Sequence, residues 1–311
     1  MNKSMNKIFK IIKIIFFIII FFVAIDTFFI EPNIFTTNTH RLDIPNWDKS
    51  LNGFKVALVS DIHLGSRYVD LKKLDKIVYD INKTNPDIIV ICGDLDGKAI
   101  ENKGYTETKV ANSLKNFKSK YGVFAIMGNH DYEVSEVVKN SYKKAGITLL
   151  TDSSSTIHVN GKEIRIVGLE DLWFRNSNPR EVLGEDYYKM PTILLAHNPD
   201  YFPMVPNGVS LTLSGHTHGG EIAFPFVGSF TVPSEYGNRY RSGYIIEGNK
   251  HLFVSRGIAT LSIGRFMSVP EIDILELYAQ THKSKDTKAL SGNQKPFSPE
   301  LVITVKNFLR H

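Results

Sequence analysis

The sequence predicts an α/β fold of four layers, an α+β arrangement in which two packed mixed β-sheets are flanked by helices. Short apolar runs alternate with helical periodicity over residues 54–144, which is typical of parallel strands joined by helical crossovers. The second half carries further strand patterns and a hairpin. Polar side chains suited to metal binding stand directly after five of the apolar runs. A transmembrane helix is predicted ahead of this body.

Residues 1–33 are predicted to form a cytoplasmic stub and a transmembrane anchor. Residues 14–25 are uncharged and consist almost entirely of Ile, Phe and Val. A span needs about 20 apolar residues, and residues 8–30 suffice if Lys10 and Lys13 extend toward one interface and Asp26 lies near the other. A cleaved signal peptide would need a small-residue cleavage site, which residues 22–32 lack. An uncleaved anchor is therefore favoured.

The charges around the span predict the topology. Four lysines precede it, and lysines flanking a span favour the cytoplasmic side. The protein is therefore expected in the cell membrane, single-pass, with its N-terminus inside and its catalytic body extracytoplasmic. Residues 34–53, with prolines and Asn/Thr clusters, are predicted to be a linker.

The body is predicted to span residues 54–279. Strands are expected at 54–60, 87–92 and 122–127, with a helix over 71–81, a weaker helical pattern at 105–120 and a helix near 133–144. Asn160-Gly161 predicts a hairpin turn between strands at 156–159 and 163–167. Further strands are expected at 192–196, 210–213, 251–255 and 271–277.

Two segments are predicted after the body. Residues 280–297 are polar and indicate a flexible linker. Residues 298–311 are predicted to form an amphipathic helix, because Ser298 suits an N-cap, Pro299 suits the first helical position, and Leu301 and Val305 share one face. This helix could dock on the body or lie on the membrane; docking, the commoner arrangement, is preferred.

Composition excludes some classes of protein. The net charge of +5 is concentrated at the ends, because residues 14–279 hold 27 basic against 30 acidic side chains. A nucleic-acid partner is therefore not expected. Cys92 is the one cysteine, so no internal disulfide can form. It ends an apolar run, which indicates a small buried hydrophobe rather than a nucleophile.

Five short motifs each follow an apolar run. In open α/β sheets, ligand sites lie at the carboxyl ends of the strands, so these motifs predict one site holding more than one metal ion. The motifs are Asp61-Ile62-His63, Gly93-Asp94, Gly128-Asn129-His130-Asp131, Ala196-His197-Asn198-Pro199 and Gly215-His216-Thr217-His218.

In this order, the motifs resemble those of the metallophosphoesterase superfamily, also called calcineurin-like phosphoesterases. The resemblance covers about residues 54–278 and is greatest to the bacterial membrane-associated branch. It implies two divalent ions, the first held by Asp61, His63 and His218, the second by Asn129, His197 and His216, with Asp94 bridging them. Imidazole, carboxylate and amide ligands suit a transition metal, with Mn preferred and Fe or Zn as alternatives.

The resemblance also implies a reaction, the hydrolysis of a phosphodiester by attack of a metal-activated hydroxide at phosphorus. His130 would stabilise the transition state or protonate the leaving oxygen. Asp131 would orient His130 by accepting its other N–H. No ligand role is carried over to Asp96, and Asp200 is expected to cap a turn.

The expected substrate is a phosphodiester or pyrophosphate presented at the membrane, such as one in a lipid headgroup or a nucleotide-linked lipid. Aromatic residues with arginines at 173–175 and 224–240 could form a lip for it or belong to the core; the lip is preferred. The runner-up is a lipid-linked pyrophosphatase of envelope or lipid biosynthesis, acting on a UDP-sugar lipid. That substrate is usually met on the cytoplasmic side, which conflicts with the predicted topology.

Two non-enzymatic alternatives remain. A catalytically silent member of the fold, kept as a binding module, would be marked by lost metal ligands, and none is missing. A membrane-tethered structural or adhesion protein would explain the ends of the chain but not the ordered motifs. The sequence predicts no oligomeric state.

Overall fold

The computed structural model describes residues 3–96, 103–175 and 177–280. The predicted linker after Gln280 and the predicted helix at 298–311 lie outside the described residues. The predicted four-layer fold is confirmed, and two β-sheets form its centre.

The first sheet has the strand order β1–β14–β2–β3–β4–β5. Its strands are β1 Thr36–Ile44, β2 Phe54–Val59, β3 Ile88–Cys92, β4 Val123–Ile126, β5 Thr148–Leu149 and β14 Glu271–Ala279. Strands β2 to β5 pair in parallel, whereas β14 runs antiparallel to β2 and parallel to β1. The parallel part is the crossover unit that the sequence predicted.

The second sheet has the order β12–β13–β9–β8–β7–β6, and β10 and β11 form a separate hairpin. Strand β6 pairs antiparallel with β7 around Asn160-Gly161, which confirms the predicted hairpin. The strands are β6 Ser153–Val159, β7 Lys162–Gly168, β8 Thr192–Leu195, β9 Leu211–Ser214, β10 Ala223–Phe224, β11 Gly228–Ser229, β12 Gly243–Glu247 and β13 Lys250–Val254.

Helices cover the outer face of the first sheet. In α2, the Asp70 side chain accepts the Lys73 N–H as an N-cap, and the apolar stripe of the helix, which includes Leu74 and Ile81, is buried. The predicted helix near 133–144 begins with a 3₁₀ turn over His130–Val134. The α-helices are α1 Lys3–Ile25, α2 Leu71–Lys83, α3 Glu107–Leu114, α4 Ser135–Ala145 and α5 Pro179–Leu183.

The alternation of side chains in β3 shows how the layers form. Ile88, Val90 and Cys92 point into the core between the two sheets, where they join Ile166, Leu195 and Leu213 of the second sheet. Ile89 and Ile91 point the other way, into the core beneath the helices. Strand β3 is buried on both faces, which explains why it is apolar at every position.

Residues 34–53 are not a linker, so that prediction was wrong. Strand β1 pairs with β14 along nine residues, from Thr36 opposite Glu271 to Ile44 opposite Ala279. Ile44, Trp47 and Leu51 are buried in the core between the sheets. Because β1 lies at the edge of the sheet, the side chains of its first residues remain polar, and this polarity hid the strand from the sequence analysis.

The N-terminal helix is long and apolar enough to cross a membrane, with a candidate span over Met5–Asn33 and no part of its apolar window buried. Its end packs on the body. The Thr27 carbonyl accepts the Arg265 N–H at 2.9 Å, and the buried Glu31 carboxylate accepts the backbone N–H groups of Met267 and Ser268 at 2.9 and 3.2 Å.

Candidate metal centre

The strand ends bring most of the predicted ligands together. Two buried groups share Asp61, and within each group the ligand atoms lie within 4.8 Å of one another. One group adds His63 and His218 to Asp61, and the other adds Asp94 and His197. The first sheet supplies three of these residues and the second sheet region supplies two, so the centre lies where the sheets meet.

The two carboxylates lie among three imidazoles. Asp61 Oδ1 is 3.4 Å from His218 Nε2 and 4.0 Å from His197 Nε2. Asp94 Oδ2 is 3.2 Å from His197 Nε2 and 3.5 Å from His63 Nε2. One oxygen of Asp94 therefore faces a histidine from each of the two predicted ligand sets.

His216 and Asn129 complete the predicted set. The His216 ring lies 5.1 Å from the His197 ring. Asn129 is buried and directly precedes His130 in the chain. Within the described residues, four of the predicted ligand atoms are buried and make no hydrogen bond: His63 Nε2, Asn129 Oδ1, His197 Nε2 and His216 Nε2. An orphaned buried polar atom costs about 1–3 kcal/mol, and two metal ions would satisfy all four. The donor set fits the metals that the sequence implied.

Two of the histidines are oriented by backbone carbonyls. His197 Nδ1 donates to the Cys92 carbonyl at 2.7 Å, and His218 Nδ1 donates to the Ala259 carbonyl at 3.1 Å. These hydrogen bonds place the proton on Nδ1 and leave the Nε2 lone pair directed at the centre, as second partners of metal-binding histidines do.

The protonation states suit metal binding. Burial lowers the pKa of His63 and of His216 to about 3, so both imidazoles are neutral near pH 7. Burial acts to raise the pKa of Asp61 and Asp94, but the neighbouring His218 and His197 outweigh it and hold both pKa values below their usual range. Burial acts to lower the pKa of His197, but Asp94 and Asp61 outweigh it and hold this pKa well above its usual range, so a metal ion would displace a proton from His197.

The backbone is strained at these ligands. Five of the seven predicted ligands have a positive φ, a region that costs a residue other than glycine about 1–2 kcal/mol. Such strain concentrates at functional sites, where the surrounding structure enforces it. The values are 51° for Asp61, 41° for His63, 54° for Asp94, 70° for His216 and 50° for His218.

Two glycines allow the chain to pass close to the carboxylates. A Cβ on Gly128 would lie 2.2 Å from Asp94 Oδ1, and a Cβ on Gly215 would lie 1.9 Å from Ser60 Oγ and 2.4 Å from Asp61 Oδ2. No side chain fits at those distances, which explains the glycine in both motifs.

Asp131 has a different partner from the one predicted. Its carboxylate accepts the backbone N–H groups of Asp94, Asp96 and Gly128 at 2.8, 3.0 and 3.0 Å. The predicted contact with the His130 ring is wrong, because Asp131 instead joins two ligand loops. His130 is half-buried; its backbone N–H donates to Asp94 Oδ1 at 2.9 Å, and its ring lies 4.9 Å from that of His63.

Asp200 also acts away from its own turn. Asn198 caps that turn by accepting the Asp200 N–H at 2.9 Å. The Asp200 carboxylate accepts the Ser234 hydroxyl at 2.5 Å and the Glu235 N–H at 2.7 Å. It therefore caps a turn in a distant loop, and it is not among the grouped ligand atoms.

An aromatic lip borders the centre. Trp173 meets the His216 ring edge-on at 4.6 Å, and Phe174 stacks on Tyr132 at 4.6 Å, with both Trp173 and Phe174 about half exposed. The buried Asp171 holds this turn by accepting the Trp173 N–H at 2.9 Å. The lip preferred for residues 173–175 is thus supported, although the sequence analysis missed Asp171.

Arg265 and Glu221 were also missed. Arg265 is fully buried and donates to the His218 carbonyl at 3.2 Å and to the Ser268 carbonyl at 2.8 Å. The Glu221 carboxylate accepts the N–H groups of Leu261 and Ser262 at 2.5 and 2.7 Å. Both residues fasten the loop after β13 to the His218 turn. The one sequence signal that pointed to these residues was Gly219-Gly220-Glu221, which directly follows the motif ending at His218.

Comparison with known proteins identifies the class. The family model described as Calcineurin-like phosphoesterase matches residues 54–220, and the chain belongs to that family. It is a metal-dependent phosphoric ester hydrolase, as the sequence analysis expected, and its relatives fit the membrane-associated branch.

Three curated relatives extend the comparison. The uncharacterised metallophosphoesterase YkuE of Bacillus subtilis is 32% identical over 256 residues, covering 80% of this chain and 87% of the relative. Phosphodiesterase YaeI of Escherichia coli is 30% identical over 253 residues, covering 79% and 90%. The UDP-2,3-diacylglucosamine pyrophosphatase LpxG of Chlamydia muridarum is 24% identical over 302 residues, covering 79% and 90%.

Proposed function

We propose that the chain is a membrane-anchored phosphodiesterase that works with two divalent metal ions. The observation that carries this proposal is the pair of buried ligand groups that share Asp61. In the proposed assignment, Asp61, His63 and His218 hold one ion, while Asn129, His197 and His216 hold the other. Asp94 bridges them, which is supported by its Oδ2 facing both His63 and His197.

Mn²⁺ is the proposed metal, with Fe or Zn as alternatives, since the donors mix imidazole, carboxylate and amide. When bound, two such ions supply positive charge that attracts phosphoryl oxygens and lowers the pKa of water beside the phosphorus. The carboxylates of Asp61 and Asp94 would limit the repulsion between the ions, and the imidazoles would bind them in the deprotonated form.

The residues beside the ligands have separate tasks in this proposal. His130 is half-buried beside His63, so its ring can reach a leaving oxygen, stabilise charge on it or donate a proton to it. Asp131 acts as a positioning residue, because its carboxylate holds the Asp94 and Gly128 loops together.

The proposed substrate is a phosphodiester at the membrane surface. The apolar helix supports the location, and the relative named as a phosphodiesterase supports the bond type. A second candidate, a lipid-linked pyrophosphatase, is favoured by the resemblance to LpxG over 79% of this chain. Both candidates hydrolyse a phosphorus–oxygen bond in a lipid and require the same centre.

The test uses the full-length protein in detergent, because Thr27 and Glu31 pack on the body. With Mn²⁺ supplied, bis-p-nitrophenyl phosphate should be hydrolysed faster than p-nitrophenyl phosphate. Asp94→Ala should abolish turnover and reduce bound metal measured by mass spectrometry. The matched control Asp186→Ala removes an exposed carboxylate that pairs with Lys189, and it should retain both.

The outcomes separate the alternatives. Faster hydrolysis of the monoester would replace the diesterase by a phosphatase. Two tightly bound metals without turnover of either ester, or of lipid diesters and lipid pyrophosphates, would favour a silent binding module. No bound metal would overturn the assignment of the centre.

The proposed topology, with the N-terminus inside and the body extracytoplasmic, can be tested in intact cells. Cys92 is fully buried, so a cysteine placed at the exposed Lys189 would report alone. An impermeant maleimide should label Lys189→Cys without lysis. Labelling only after lysis would place the body in the cytoplasm and would strengthen the pyrophosphatase candidate.

A further inference from the structure

Two loops of the body lie beside the end of the N-terminal helix. Residues 259–267 reach it directly, since the Arg265 N–H donates to the Thr27 carbonyl at 2.9 Å. Residues 222–230 pack on that first loop, because the Ala223 N–H donates to the Phe266 carbonyl at 2.9 Å and the Phe224 ring lies 5.7 Å from the Phe266 ring. Both loops are thus continuous with the candidate membrane span.

These loops expose large apolar side chains. Phe226 is 98% exposed, Phe230 82% and Ile263 68%, and the other three members of the set are about half exposed. Burying one such side chain is worth about 1.5–3 kcal/mol, so a cluster exposed to water marks a contact surface. We call this set the apolar rim; it consists of Phe226, Val227, Phe230, Leu261, Ile263 and Met267.

The apolar rim is held outward by defined contacts. Phe226 and Met267 have φ values of 66° and 52°, which their neighbours must enforce. In the loop at 222–230, the Ser229 hydroxyl donates to the Gly220 carbonyl at 2.7 Å. In the loop at 259–267, the Leu261 N–H donates to the Glu221 carboxylate at 2.5 Å. The exposure is therefore built into the fold.

A basic pocket lies at the same end of the helix. It has a volume of about 610 Å³ and borders residues 33–35, directly after the candidate span. Its lining brings together Arg67, Lys72, Lys73 and Lys76, with Asp70 as the one carboxylate among the lining residues. We call these four cationic side chains and the cavity between them the basic pocket.

The contacts of the basic pocket leave its positive charge largely uncompensated. The half-buried Lys73 Nζ donates to the Pro32 carbonyl at 3.4 Å. Burial, reinforced by Arg265 and Lys76 and opposed by Asp70, lowers the pKa of Lys73 to about 8. Lys76 does pair with Asp80, at 2.5 Å. The buried Tyr68 hydroxyl, also in the lining, makes no hydrogen bond within the described residues. An anionic oxygen would suit both Lys73 and Tyr68.

We propose that the apolar rim and the basic pocket dock together on the bilayer that the N-terminal helix crosses, with the apolar rim among the upper acyl chains and the basic pocket on the phosphate of an anionic phospholipid. Aromatic side chains are enriched at membrane interfaces, and cationic side chains form charge-assisted hydrogen bonds with phosphate oxygens. Continuity with the span favours a bilayer over a protein partner. This inference rests on the proposed membrane anchoring.

Docking would place the metal centre beside the headgroups. The loop that carries Ile263 also supplies the Ala259 carbonyl to His218 Nδ1, and Arg265 of that loop donates to the His218 carbonyl. One short loop therefore joins the apolar rim to a proposed ligand. The substrate class that fits is an amphiphile whose phosphoester lies in the headgroup layer of the same membrane.

The first experiment measures depth in the bilayer. Full-length Ile263→Trp and Phe230→Trp variants are reconstituted in vesicles with brominated acyl chains, with Ile246→Trp as control because Ile246 is 55% exposed on strand β12. Tryptophans of the apolar rim should be quenched several-fold more than the control. Quenching equal to the control would overturn the proposal, and equal quenching in a chain that forms dimers would indicate a second copy as the partner.

The second experiment tests the basic pocket. Short-chain phosphatidylglycerol and phosphatidylcholine are titrated into the detergent-solubilised protein by calorimetry. The wild type should prefer the anionic lipid, and Arg67→Gln combined with Lys73→Gln should reduce that preference about thirtyfold, since each cation near the surface is worth about 1 kcal/mol. Equal affinity of wild type and variant for phosphatidylglycerol would refute the role of the basic pocket.

The third experiment links docking to substrate. Ile263→Ser with Phe230→Ser should leave hydrolysis of soluble bis-p-nitrophenyl phosphate unchanged and slow that of a diester lipid in vesicles by about tenfold. Equal slowing of both esters would mean that the apolar rim is only structural. Absence of turnover on every ester would contradict the proposed function, whereas the quenching result would still decide the docking.

Discussion

The metal centre and the apolar rim depart from the usual distribution of side chains in opposite directions. The centre buries carboxylates and imidazoles, while the apolar rim exposes phenylalanines and isoleucine. Both hold residues other than glycine at positive φ, Asp61 in one and Phe226 in the other. Each region has side chains that suit a partner from outside the chain, a metal ion in one case and a lipid in the other.

The two regions differ in how the absence of the metal ion or the lipid affects the stability of the folded chain. Buried polar atoms without hydrogen bonds destabilise the folded state, so the metal should contribute to stability. Exposed apolar atoms are equally exposed in the unfolded chain, so lipid contact at the apolar rim should change location rather than folding. Substitutions at the centre should therefore affect activity and stability, whereas substitutions in the apolar rim should affect lipid contact.

The largest effect is expected at Gly215. In Gly215→Ala, the new Cβ would collide with Ser60 Oγ and Asp61 Oδ2, and displacement of a ligand should lower kcat/KM on bis-p-nitrophenyl phosphate by about 100-fold or more, the equivalent of several kcal/mol. Gly248→Ala, with open space around the new methyl group, is the control for a glycine replacement that meets no neighbour. Comparable losses in the two variants would show that close approach to Asp61 is unimportant.

Removal of metal should come next. If each free ion is present at about 1,000 times its Kd, each contributes about 4 kcal/mol to the free energy of unfolding. A chelator should therefore lower the melting temperature of the wild type in detergent and leave that of Asp94→Ala nearly unchanged. If the chelator does not change the melting temperature of the wild type, the metal does not contribute to stability.

Two isoleucines of one loop sharpen the contrast between core and rim. Ile258 is fully buried, so Ile258→Ala should reduce the free energy of unfolding by about 2–5 kcal/mol. Ile263→Ala should change it by less than about 0.5 kcal/mol, as expected of an exposed site. Chemical denaturation in detergent measures both values, and a large loss for Ile263→Ala would mean that its side chain packs within the fold.

The smallest effect concerns pH. The pKa of Lys73 falls from 10.5 to about 8 on folding, so the charge of Lys73 is present below pH 8 and is lost as the pH rises through that value. The advantage of the wild type over Lys73→Gln in binding phosphatidylglycerol should be about fivefold at pH 7 and should shrink toward pH 9. The charged groups that face Lys73 are Arg67, Lys72, Lys76, Arg265 and Asp70. Burial lowers the pKa of Arg265 to about 10, which is still above that pH range. A constant advantage from pH 7 to pH 9 would exclude titration of Lys73.

The same pKa shift also affects stability. The lipid-binding advantage falls as the pH rises, whereas the contribution of Lys73 to the free energy of unfolding increases. Between pH 8 and 10.5 the unfolded chain holds the Lys73 proton and the folded chain does not. The free energy of unfolding from this group therefore rises with pH across that window. Lys73→Gln should remove the rise.

The metal centre and the general architecture could be predicted from the sequence, because both depend on short-range patterns. Each ligand motif directly follows its own strand, so Asp61, Asp94 and His216 could be placed at strand ends before any tertiary contact was known. Apolar periodicity predicted the crossover helices and the hairpin at Asn160-Gly161, and an unbroken apolar run predicted the N-terminal helix.

The pairing of these segments with residues far away in the chain is visible in the tertiary structure and not in the sequence. Strand β1 joins β14 across more than 200 residues, and its polar edge gave no local sign of pairing. Asp131 lies next to His130 in the chain, yet it bonds to the Asp94 loop. Phe226 and Phe253 are the same residue type, but one is exposed in the apolar rim and the other is buried. Burial and hydrogen bonding depend on neighbours that folding brings from elsewhere in the chain, and local sequence does not contain that information.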